Sequence, residues 1–164
     1  MTKYERHIQE LCRKHKIKIL YSRSEFAANP HSSRIWINRR IRSPKTYVSS
    51  LHEIGHILYE RPKIKHDWKK RIWAFTHDFD HTSKYSVKVE FKAWKIARKL
   101  ARWWSPAVNK NIVRSLITYC YGYNKTHKRP VWGLPNKSLM NIKDIIQYDD
   151  KFANDICQKF LDWA

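Results

Sequence analysis

The chain is short of glycine, of cysteine and of acid. Three glycines in 164 residues argue against a loop-rich or disordered protein, since such chains lean on glycine. Three cysteines (Cys12, Cys120, Cys157) are odd in number and show no CxxC spacing. They read as reduced, mostly buried thiols in a cytosolic setting, and they exclude a disulfide framework or a cysteine-built zinc site. No run approaches the ~20 apolar residues that a membrane span needs. The opening Met1-Thr2-Lys3-Tyr4-Glu5-Arg6-His7 has no apolar leader core. The expectation is therefore a cytoplasmic protein without a membrane role. Acids number 14 against 34 lysines and arginines, a net charge of +20. Such a field attracts polyanions, of which nucleic acid is the commonest in a cytosol, but charge alone gives non-specific affinity and no recognition element.

Core material is ample. Hydrophobic residues make up 42% of the chain and aromatics 14%, and the length suits one domain over 1–164. Tyr4, Ile8, Leu11 and Cys12 mark a helix over about 2–15. Ile17, Ile19 and Tyr21 alternate as a strand, Asn29-Pro30-His31-Ser32-Ser33 reads as a turn, and Ile35 and Ile37 begin a second strand running to about Ile41.

Ser43-Pro44 then reads as an N-cap followed by proline in the first turn. Tyr47, Val48, Leu51, Ile54 and Leu58 repeat at helical spacing, which predicts a helix over about 44–60. Inside it stands Leu51-His52-Glu53-Ile54-Gly55-His56-Ile57-Leu58, an HExxH sequence in apolar surroundings. Residues four apart share a helix face, so His52 and His56 can hold one zinc ion while Glu53 reaches a water on that ion.

Residues 61–84 read as irregular. They hold a basic run (Arg61, Lys63, Lys65, Lys69, Lys70, Arg71) with Trp68 and Trp73, taken as a short helix resting its tryptophans on the core. His77-Asp78-Phe79-Asp80-His81 follows as a polar loop. The next helix, about 84–104, carries an apolar stripe of Ala93, Trp94, Ala97, Leu100, Ala101 and Trp104. Glu90 stands at the N-terminal end of that stripe. A carboxylate on a buried face is costly unless paired or metal-bound, and two histidines on zinc need a third protein ligand. Glu90 suits that role; His66, His77 and His81 are the alternatives.

HExGH followed by Glu90-x-x-Ala93-Trp94-x-Ile96-Ala97-x-x-Leu100 resembles the gluzincin-type minimal metallopeptidases, in particular the ImmA/IrrE family and small phage-encoded zinc peptidase domains. The resemblance covers about residues 33–104 and its helix motif is E-x-x-A-[N/W]-x-x-A. It implies an α+β, mostly helical zincin-like fold with a small sheet or hairpin before the HExxH helix. It implies zinc on His52, His56 and Glu90, Glu53 as catalytic base, and a peptide or protein substrate that can be received by strand addition beside the active helix. A viral protein working in a host cytoplasm would fit. The linker between the two helices departs from the family in being long and basic. The metzincin pattern is excluded, because Tyr59 and Pro62 stand where glycine and histidine are required. A SprT-like site with a third histidine would act on DNA-bound proteins.

The competing reading is a basic nucleic-acid-binding or regulatory protein on the same scaffold. Beyond 105, Ser105-Pro106 opens a helix expected to stop at Gly122, a connector spans 122–140, and a last helix covers about 138–162. Residues 105–164 are expected to extend a catalytic core at about 1–104. Residues 61–115 hold fifteen Lys/Arg against four Asp/Glu, which places the basic field around the second ligand helix.

Overall fold

Thr2 caps the first helix, α1 (Lys3–Lys14), by accepting from the Glu5 N–H at 3.1 Å while the Glu5 carboxylate accepts from the Thr2 N–H at 2.7 Å. This reciprocal box satisfies two donors that a helix start leaves open. Its buried face is His7, Ile8, Leu11 and Cys12. The exit is made by Lys16 at φ 54, with the Ile17 N–H bonded back to the Cys12 carbonyl at 2.8 Å. Glycine is the usual residue at such a left-handed exit; a chain with three glycines uses lysine here.

In this computed structural model the described residues are 1–23, 25–38, 40–66, 84–127 and 134–163, without the side chains of 64–66, 84 and 163. The expected Trp68 and Trp73 helix and the His77–His81 loop lie outside them, as do the side chain of His66 and residues 128–133 of the expected connector. The fold is α+β and mostly helical: β1 (Lys18–Ser22), β2 (Ala27–Asn29), β3 (Arg34–Asn38), α2 (Pro44–His66), α3 (Lys84–Leu100), α4 (Pro106–His127), α5 (Asn136–Ile145) and α6 (Asp150–Trp163) follow α1. The chain divides into two compact units, Met1–Ala74 with Lys92–Trp104, and Phe75–Phe91 with Ser105–Ala164. The break falls within α3, so its first half counts with the C-terminal unit.

In the first unit the sheet order is β1-β3-β2, with β1 parallel and β2 antiparallel to β3. The strand leading into α2 is thus the central one, paired on both sides. The free edges belong to β1 and to β2, the unpredicted three-residue strand, and β2 packs against α2. Ile35 and Ile37 face inward and are fully buried or nearly so, with α1 and α2 on that side.

One hydroxyl ties this unit together. Tyr47, fully buried near the start of α2, places its Oη 2.6 Å from His7 Nδ1 on α1 and accepts from the Arg102 N–H at 3.1 Å. Tyr4 and Trp103 pack on the same ring at 4.9 and 5.8 Å. The polar tip is satisfied while the ring contributes buried area, the usual arrangement for a core tyrosine.

The second unit is organised on α4, which packs against both α5 and α6. Two sequence expectations are corrected here. Gly122 does not end α4, which runs to His127. Cys120 and Asn124 continue the buried stripe one turn on, and Asn124 Nδ2 donates to the Leu134 carbonyl at 2.9 Å. The expected last helix is two helices, because Asp149 caps a new start by accepting from the Phe152 N–H at 2.8 Å. All three cysteines are free and buried, and burial pushes the Cys12 and Cys120 thiols up to about 12.

Tyr47→Phe leaves the Arg102 N–H and the His7 ring without this partner and is expected to cost about 1–3 kcal/mol in urea unfolding. Burial also lowers the His7 pKa from its ordinary 6.5. The unfolded chain then takes up a proton that the folded one resists, so stability falls as pH drops below 6.5 towards the lowered value. His7→Gln should remove that part of the pH dependence, read as the difference in urea midpoint between pH 7.5 and 5.

Candidate metal centre

The helix that carries the HExxH sequence starts where the Ser-Pro signal places it. Ser43 Oγ accepts from the Thr46 N–H at 3.2 Å, satisfying a donor of the first turn. Tyr47, Val48, Leu51, Ile54 and Ile57 are fully buried, so most of the circumference of α2 is inside the protein. The helix continues past the expected residue 60, through Pro62, to His66. The Arg61 guanidinium donates to the His15 carbonyl at 2.7 Å and anchors that last stretch.

His52 and His56 sit one turn apart with ring centroids 4.5 Å from each other. Ligand-type atoms of His52, Glu53 and His56 all lie within 4.8 Å of one another. Among the described residues this is the one group of three or more such side chains that converges. His52 and Glu53 are buried and His56 is half-buried. Two imidazoles and a carboxylate at that separation are a donor set that suits zinc.

A second helix closes on this face. A Cβ on Gly55 would fall on the Ala93 carbonyl oxygen and within 3.0 Å of the Ala93 Cα. Glycine at the fourth position of the HExGH sequence is therefore what lets the later half of α3 approach α2 backbone to backbone. The approach lays the Trp94 indole flat on the His52 ring, centroids 4.0 Å apart and planes 20° from parallel. Ala93 and Ala97, both fully buried, keep that side of α3 thin.

Glu60 is the residue that sequence reasoning missed. It is buried, and its Oε1 lies 3.3 Å from His56 Nδ1. Metal-binding histidines almost always hold their other ring nitrogen against a carboxylate or carbonyl, which fixes tautomer and ring orientation. The i,i+4 spacing of His56 and Glu60 was the available signal. Glu53 Oε1 stands 3.4 Å from His52 Nδ1, a longer contact between chain neighbours. Glu90 is also buried, on the first half of α3, and counts with the second unit. The structure thus brings together three of the four residues singled out beforehand, His52, Glu53 and His56. His77 and His81 lie outside the described residues.

No family model, curated protein or solved structure matches this chain.

Removing the His56 partner should loosen the ring without unfolding α2. Glu60→Gln is expected to weaken zinc affinity about 10- to 100-fold, measured by competition with a chromophoric chelator. Gly55→Ala gains about 1 kcal/mol of helix propensity but must push α3 away, and overpacking of this kind costs about 1–3 kcal/mol. A net loss of stability, with weaker zinc binding, is expected in urea unfolding and chelator competition.

Proposed function

We propose that this chain is a zinc-dependent peptidase. The observation that carries the reading is the convergence of His52, Glu53 and His56 on a largely buried helix face. His52 and His56 would hold the ion, with Glu90 as the third protein ligand. Glu90 is supported by its burial and by its place on α3, an unbroken helix in which it stands one turn before Trp94, the residue stacked on His52. The sequence resemblance to the ImmA/IrrE peptidases points to the same four residues.

A zinc ion held by these residues would supply Lewis-acid chemistry, polarising a carbonyl and lowering the pKa of a water from 15.7 to about 7. Glu53 would serve as the general base, its carboxylate holding a proton between the attacking water and the leaving amine. Glu60 holds the His56 ring in one orientation, and the Trp94 face limits rotation of the His52 ring. Leu51, Ile54, Ile57 and Ala93, all fully buried, line these helices with apolar surface and keep bulk water from their interior. The substrate class is a peptide or protein.

Glu53→Gln should retain one zinc per chain and lower cleavage of a peptide library about 10²- to 10⁴-fold. Glu90→Ala should lose zinc at concentrations where wild type stays loaded, read by elemental analysis after gel filtration. Equal cleavage by wild type and Glu53→Gln would rule the mechanism out.

A further inference from the structure

The sheet has a second face, opposite the buried Ile35 and Ile37. Residues paired in register share a face, so this one is built in rows. Lys18 lies beside Arg34 and then Asn29; Leu20 lies beside Trp36 and then Ala27; Ser22 lies beside Asn38. Lys18 and Arg34 are exposed, and Leu20 and Trp36 are half-exposed.

Two features of this face need explaining. Neighbouring strands are about 4.8 Å apart, so Lys18 and Arg34 are like charges side by side, a pairing that destabilises a sheet. Neither forms an ion pair with an acid among the described residues. The flanking sequence adds cations and almost no acid: residues 13–42 hold nine Lys/Arg and one Asp/Glu, Glu25. That stretch is more densely basic than residues 61–115, where the sequence placed the field. An indole beside the cation row then provides a flat apolar platform in the middle of the sheet.

We infer that this face binds single-stranded nucleic acid, with Lys18 and Arg34 on successive phosphates and a base stacked on Trp36. An anion there removes the repulsion between the two cations. Stacking is open to any base, because every base has a π-face, and cationic grooves with aromatic platforms are how single strands are held without sequence preference. A duplex would offer its phosphates and leave Trp36 unused. This surface is separate from the peptidase reading and does not depend on it.

The test is fluorescence anisotropy of the full chain with labelled oligothymidine across a salt series. Lys18→Gln/Arg34→Gln should weaken binding at least tenfold and reduce the salt slope by roughly 1.4, two phosphate contacts at about 0.7 each. Trp36→Thr, which keeps a β-branched residue in the strand, should weaken binding by roughly 5- to 100-fold with the slope unchanged. Trp36→Tyr, which retains a ring, should bind within about threefold of wild type. Circular dichroism checks the fold of each variant. The control Lys125→Gln/Lys143→Gln, the same charge change on exposed residues of α4 and α5, should lose less than about twofold. Equal losses in control and sheet variants would overturn the proposal in favour of diffuse attraction. A duplex bound more tightly than the single strand and indifferent to Trp36→Thr would overturn it as well. So would sheet variants that lose phosphatidylserine vesicles but keep the oligonucleotide, which would assign the face to a membrane surface.

Discussion

The later half of α3 can lie against α2 only because residue 55 has no side chain. The Ala93 carbonyl fills the place where a Cβ would stand. Everything proposed for the centre follows from that approach. It seats Trp94 on the His52 ring and excludes larger residues from the interface. Gly55 costs α2 helix propensity, and the close approach of Ala93 accounts for it. The Tyr47 hydroxyl works alongside it, joining α1, the start of α2 and the segment after α3 through His7 and Arg102.

The placement of acid follows a single logic. Among the described residues the buried carboxylates are Glu53, Glu60 and Glu90, all on α2 and α3. Asp144, Asp155 and Asp162 on the later helices are exposed, as is the capping Asp149, while Glu5 of the α1 capping box is half-buried. A protein of charge +20 has many surface cations that acids could meet in water at little desolvation cost. Two of these buried carboxylates, Glu53 and Glu60, stand beside the histidines of α2, where a bound cation would offset their desolvation. His52, Glu53 and His56 are the group that could hold such a metal ion.

Much of this was legible in the residues. The Ser43 cap, the apolar period of α2 and the first part of the α3 stripe each state their own local rule, and the structure keeps them; α3 ends at Leu100, so Ala101 and Trp104 fall beyond it. What was illegible depended on competition between local rules. Gly122 reads as a stop, yet Cys120 and Asn124 extend the buried stripe past it. Asp149 sits within an apolar period and begins a new helix. Ala27-Ala28-Asn29 has no alternation to mark a strand and is one because β3 offers it an edge. Glu60 lay outside the four-residue motif, although its spacing from His56 was visible. The basic field was read along the chain around the second ligand helix; paired strands gather Lys18 and Arg34 from sixteen residues apart into one row.

X-ray absorption spectroscopy of the zinc-loaded chain tests the centre most directly. Multiple scattering counts imidazoles, and nitrogen ligands lie at about 2.0–2.1 Å from zinc. The account predicts two imidazoles with oxygen completing a four-coordinate shell, and loss of one oxygen ligand or of the metal in Glu90→Ala. Three imidazoles would remove Glu90 from the centre, and a shell of oxygen alone would contradict the assignment of His52 and His56.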